Sequence, residues 1–335
     1  MSSANDEVTP VLTTAIGSWP GTDVADAVKI AFAECPDLPY LPELPARGPH
    51  AALVGRSTAL LSGLAVDLQP AGWRLTDASS RDHRAARSAL RSDLDVLEEQ
   101  AQDYAGPYKL SVAGPWTLAA TMERPRGDRV LADSGARREV AQSLAQGLAD
   151  LVEELARRLP ALELRVQLDE PLLPAVMTGA VPTASGFSRH RVVDLSELSG
   201  AVEQLVTRLS GTPVVVHCCA AGAPVDLLRR AGVAGVSLDL DQLVPVDWDA
   251  LGNGMEQGLD LWLGALPTDR ALSADEVVRR ALRSLRELGL DPGLLSARLV
   301  LTPACGLAGA TSGGAVQALR TVRTAAGIVT DQLAD

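Results

Sequence analysis

The sequence predicts an α/β fold with a parallel sheet, closed as a single (β/α)8 TIM barrel. Two observations carry that expectation. Short apolar segments alternate with amphipathic stretches along all 335 residues, and eight of those segments read as strands. Several of them, such as Val214-Val215-Val216 and Leu299-Val300-Leu301, are apolar on both faces, as buried parallel strands should be. An open doubly wound sheet would show the same alternation. Eight strands favour closure, because a barrel has no edge strand to protect.

The elements follow in order. The strands are expected at 11–18, 38–43, 109–116, 164–169, 213–219, 235–239, 259–266 and 298–305. Between them, Leu144, Leu148, Leu151, Leu155 and Leu159 recur at helical spacing, and Pro160 ends the run. Ser273 and Glu276 form a capping box ahead of Val277, Leu282, Leu285 and Leu288, with Gly289 closing the helix. Ser312 opens a last helix along Val316, Leu319, Val322, Ala326 and Val329. Residues 48–75 fit no βα unit and are expected as an extra helical and loop insertion after the second strand. Residues 1–335 are expected to form one catalytic barrel domain, with 1–10 as a disordered tail.

Composition narrows the function. Aromatics make up 3% of residues, so the core must be built from Ala, Leu and Val, which suits a barrel. A net charge of -12 repels phosphate backbones, which excludes nucleic acid as a natural partner. The N-terminus has neither a basic nor an apolar stretch of the kind a signal peptide needs, and no apolar run could span a bilayer. A cytoplasmic protein without membrane partners is expected. Cys35, Cys218, Cys219 and Cys305 should therefore be reduced, leaving them to packing, metal binding or catalysis.

Barrel enzymes place their chemistry at the carboxyl ends of the strands. In chain order those ends hold Ser18, Glu43, Trp116, Asp169, His217 with Cys219, Asp239, a loop from Gly264, and Cys305. His217 and Cys219, two residues apart on a strand, point to one side and can share an ion. Two sulfurs, an imidazole and a carboxylate suit tetrahedral zinc. The same cysteines could equally be small buried hydrophobes.

Five motifs resemble the catalytic barrel of cobalamin-independent methionine synthase. They are Thr13-Thr14-Ala15-Ile16-Gly17-Ser18-Trp19-Pro20, Gly114-Pro115-Trp116-Thr117, Gln167-Leu168-Asp169-Glu170-Pro171, His217-Cys218-Cys219 and Pro303-Ala304-Cys305-Gly306-Leu307. They occur in the family's order and span nearly the whole chain. The resemblance implies a Zn2+ site of His217, Cys219 and Cys305, with Asp239 where the family carries a glutamate, and Asp241 as a second candidate. It implies that Ile16 and Ser18 hold the carboxylate of an amino-acid substrate, that Asp169 holds its ammonium, and that Glu43 assists. Trp116, larger than is usual in its turn, would narrow the pocket. The implied reaction is methyl transfer to a small thiol, homocysteine, giving methionine.

Three departures from the family bear on that activity. The full-length synthases carry a second barrel that helps seat the folate donor, so the donor is either a methylfolate or a methyl-corrinoid protein. The histidine of the loop after the seventh strand is absent, and Asp269 lies near its place. His190 is expected as an exposed histidine. Competing readings are alkyl transfer to another thiol, a uroporphyrinogen-decarboxylase-like enzyme, and a catalytically inactive zinc- or amino-acid-binding relative.

Overall fold

The structure is a computed structural model that describes residues 9–334. The tail expected over 1–10 therefore lies outside the described residues, except for Thr9 and Pro10.

The chain begins with β1 (Leu12–Thr13) and α1 (Val24–Glu34), then runs through residues 38–43 to α2 (Leu53–Thr58). An antiparallel hairpin follows, β2 (Ala65–Gln69) with β3 (Gly72–Thr76), then α3 (Arg81–Gln100) and β4 (Gly106–Ala113). The next elements are α4 (Pro115–Thr121), α5 (Ser134–Arg158), β5 (Leu162–Asp169), α6 (Leu173–Met177), α7 (Leu195–Arg208) and β6 (Val214–Cys218). The chain continues with α8 (Val225–Arg230), β7 (Gly235–Asp239), α9 (Pro245–Glu256) and β8 (Asp260–Leu266). It closes with α10 (Ala274–Arg286), α11 (Pro292–Arg298), β9 (Leu299–Pro303) and α12 (Ser312–Ala334).

Seven strands form one parallel sheet in the order β1-β9-β8-β7-β6-β5-β4. The sheet curls until its two edges are joined by a single segment. Leu41 N–H donates to Lys109 O of β4, and Lys109 N–H donates back to Pro39 O. On the other side, Glu43 N–H donates to Gly17 O and Trp19 N–H to Glu43 O. The architecture is TIM-barrel-like. Inside the curl, Leu38, Val215, Trp262 and Val300 pack together with Leu12 against them. Between sheet and helices lies the large aliphatic core, to which α5 contributes Leu144, Leu148, Leu151 and Leu155.

Three expectations need correction. The first strand is far shorter than 11–18, because the carbonyls of Ala15 and Ile16 accept from the Lys109 side chain instead of from a neighbouring strand. The strand expected at 109–116 starts at Gly106 and stops at Ala113, since Pro115 opens α4 and takes Trp116 into its first turn. Residues 48–75 hold α2 and, where only helix and loop are expected, the hairpin.

Candidate active site and metal centre

Strand register builds the site. Across the sheet Asp169 is level with His217, and His217 with Ser237. Neighbours in a parallel ladder face the same way, so a carboxylate, an imidazole and a hydroxyl stand side by side. His217 is buried, and its Nδ1 lies 3.0 Å from Ser237 Oγ. Its Nε2 is buried with no hydrogen-bond partner. Cys219 follows β6 directly, and Cys305 lies two residues beyond β9. Their sulfurs are 3.6 Å apart, and His217, Cys219 and Cys305 offer ligand atoms all within 4.8 Å of one another.

These residues fit a soft divalent ion. An unpartnered buried imidazole nitrogen is costly unless something fills its lone-pair direction. A histidine ligand also characteristically engages its other ring nitrogen, as Ser237 does here. The Cys219 thiol, and then His217, pull Cys305 well below the ordinary thiol range, while the same sulfur contact together with burial drives Cys219 up. One member of the pair is thus disposed toward the thiolate form that binds metal. All four cysteines are free of disulfides.

Asp239 does not join this cluster. It ends β7 half-buried, and its Oδ1 accepts from Asp241 N–H at 2.9 Å, capping the turn that follows. Asp241 is bound in turn by Arg270 and Arg280.

Two buried carboxylates adjoin the cluster. Asp169 is buried, and burial pushes its carboxyl up, opposed by His217, Gln167 and Lys109. Its Oδ1 accepts from Gln167 Nε2 at 2.6 Å. Glu43 is also buried and is pushed up to about 8, mainly by desolvation, with Arg56 opposing. Ser18 pairs backbone to backbone with Glu43 and crowds Gly306, where an added Cβ would come within 2.0 Å of Ser18 Oγ. Ile16, whose backbone is expected at the substrate carboxylate, has its carbonyl saturated by Lys109 Nζ, Ser111 Oγ and Gln167 Nε2 at 2.7, 3.0 and 2.8 Å.

The Trp116 indole donates from Nε1 to Leu198 O of α7 at 3.1 Å, which ties the ring to the helical layer. Two other expectations change place. Asp269 is 75% exposed and paired with its neighbour Arg270, on a loop outside the cluster. His190 is buried, with Nε2 3.3 Å from Asp128 Oδ1, not exposed.

Sequence reasoning assigned no role to Ser237, Glu170 or Lys109. Glu170 accepts from Trp116 N–H, Thr117 N–H and Thr117 Oγ1 at 2.9, 2.7 and 2.7 Å, fixing the start of α4. Gly114 is required beside it, because an added Cβ would fall 2.3 Å from the Glu170 carboxylate. A signal for Lys109 was available: it is one of two lysines in a chain that otherwise uses arginine, and it interrupts an apolar strand.

Among solved structures, the chain resembles a B12-independent methionine synthase from Shewanella sp. W3-18-1, solved in complex with selenomethionine. The TM-score is 0.63 at 16% identity, covering 97% of this chain and 99% of that one, and it shows a shared fold. A β-mannanase from the blue mussel Mytilus edulis aligns at a TM-score of 0.45 and 9% identity, covering 94% and 92%, too distant to carry an argument. No curated protein matches the sequence. The family described as "Cobalamin-independent synthase, Catalytic domain" matches residues 101–328, more than half of the chain. That span contains His217, Cys219, Cys305 and Asp169, the residues that the fold brings to its mouth, and the chain belongs to this family of cobalamin-independent synthase catalytic domains.

Proposed function

We propose that the chain is a zinc-dependent methyltransferase that methylates a small thiol, homocysteine, to give methionine. The observation that carries the reading is the buried, partnerless Nε2 of His217, set among two cysteine sulfurs and braced through Nδ1 by Ser237. In this reading His217, Cys219 and Cys305 hold the ion, and Asp239 stands nearest in sequence to the family's fourth ligand. When bound, zinc lowers the pKa of a thiol ligand, so that a thiolate is available at neutral pH.

The remaining residues bind and orient. Asp169 receives the substrate ammonium with Glu43 beside it, and the two buried carboxylates gain the counter-charge that burial denies them. The Ser18 hydroxyl, at the turn after β1, receives the substrate carboxylate. The substrate sulfur then forms its bond to the methyl carbon as that carbon's bond to the donor breaks and the donor keeps the electron pair. Holding the sulfur and the methyl group in line supplies much of the acceleration. No step falls to Asp269, which stays exposed.

The reading takes the chain as one catalytic (β/α)8 barrel domain, with residues 38–43 as its second stave, working in the cytoplasm. Among the described residues no helix is long and apolar enough to cross a membrane. The donor is a methylfolate or a methyl-corrinoid protein. The test is to supply zinc-loaded protein with homocysteine and each donor in turn, and to measure methionine by mass spectrometry. Methionine from either donor supports the reading. A zinc-loaded protein that alkylates nothing would favour an inactive binding relative.

A further inference from the structure

Lys109 lies inside the curl of the sheet with none of its surface exposed. Its Nζ reaches the carbonyls of Ala15 and Ile16 and Gln167 Oε1, and it lies 5.5 and 5.8 Å from the ring centres of Tyr40 and Trp262. Three acceptors surround a group that has three donors to offer, so this site is built for the ammonium form. Burial pulls the lysine toward neutrality, and Asp169 opposes that pull. The Tyr40 and Trp262 rings lie beside it, Trp262 within the apolar cluster of Leu38, Val215 and Val300, so an aliphatic side chain would suit this core at lower desolvation cost.

The lysine does not bond Asp169 itself. It does determine how Gln167 is turned. An ammonium can only donate, so the amide oxygen must face Lys109, and the amide nitrogen must face the other way. That nitrogen donates to Ile16 O at 2.8 Å and to Asp169 Oδ1 at 2.6 Å. A reversed amide would set its NH2 against the ammonium and its oxygen against a carboxylate. Ile16 O and Ser111 Oγ brace the same junction.

We infer that Lys109 is a positioning residue: through Gln167 it fixes the Asp169 carboxylate, and with it the site's preference for a thiol that carries an ammonium group. The inference rests on the reading of Asp169 as the ammonium site. A merely structural lysine would tie β1 to β4 and β5, and its loss would weaken every ligand alike.

The experiment is calorimetric binding of two thiols to zinc-loaded protein: homocysteine, and 4-mercaptobutanoate, which differs only in lacking the amino group. Wild type, Lys109→Met and Gln167→Met are compared, with zinc content measured for each. The expected result is a wild-type preference for homocysteine that falls by about tenfold or more in both variants, the scale of a charge-assisted hydrogen bond. Affinity for 4-mercaptobutanoate and zinc content should hold. Equal weakening of both thiols, or an unchanged preference, overturns the inference. A wild type that binds both thiols alike overturns the ammonium reading beneath it. If Lys109→Met does not fold, Gln167→Met decides, since it leaves the lysine in place and cuts the amide link between Lys109 and Asp169.

Discussion

On one side of the mouth, around β6, β7 and the end of β9, polar atoms are left open. Toward β1, β4 and β5, the Lys109 ammonium, the Gln167 amide and the Ile16 carbonyl are saturated. His217 Nε2 has no partner and two sulfurs face each other, whereas Lys109 and Gln167 spend their hydrogen-bonding capacity on one another, on Ile16 and on Asp169. In the proposed function, the open, soft-donor side is completed by an ion. On the saturated side, what the proposed function leaves to offer a substrate is the Asp169 and Glu43 carboxylates and the Ser18 hydroxyl. Under the proposed function, the contrast would let one face take a metal and an amino-acid substrate together without the two sets of donors collapsing onto each other.

Removing a donor from the open side should have the largest effect. Cys305→Ala should lower metal affinity by more than about 100-fold, beyond what loss of a supporting partner costs, and abolish thiol alkylation. Chelator competition with a methionine assay would check both. Ser237→Ala leaves the ligands intact but frees His217 Nδ1, and should weaken metal by about 10–100-fold in the same competition. A variant with unchanged affinity would show that the open side needs no support.

The saturated side should respond through stability. Gly114→Ala drives a Cβ into the Glu170 carboxylate and should cost about 1–3 kcal/mol, read as a lower denaturation midpoint. Glu43 sharpens the comparison through pH. Burial raises its carboxyl from 4.5 to about 8, so over that interval the folded chain keeps a proton that the unfolded chain has lost. Stability therefore falls as pH rises through this window, and Glu170, pushed up to about 7, adds to the slope. Glu43→Gln should flatten the slope and raise the melting temperature at the alkaline end. Smallest of all, Arg270→Ala breaks a half-exposed pair with Asp241 at the rim and should change stability by less than about 1 kcal/mol. A larger loss would mean that this loop helps to build the site.

The open side was the more legible in the sequence. Its donors sit at strand ends, and β7 has the bounds its apolar pattern gives, so alternation alone placed His217, Cys219 and Cys305 at one mouth. The saturated side was hidden because side chains there replace ladder hydrogen bonds. β1 shrinks to Leu12–Thr13 once Lys109 claims the carbonyls of Ala15 and Ile16, and no periodicity encodes that exchange. The hairpin was missed for a different reason. Val66 and Leu68 alternate, as do Trp73 and Leu75, but the strands are joined by Pro70-Ala71 in place of a familiar Asn-Gly or Asp-Gly turn, with Gly72 supplying the positive φ of 132°. The Ser273–Glu276 capping box stands as its spacing implies.

The central claim is that the open side exists to hold a metal ion. The most direct measurement is the zinc content of the purified protein beside its Cys305→Ala variant, by elemental mass spectrometry after exposure to zinc and desalting. One zinc per chain in the wild type, lost in the variant, is the expected result. A wild type that cannot be loaded would contradict the claim and leave three side chains that merely pack.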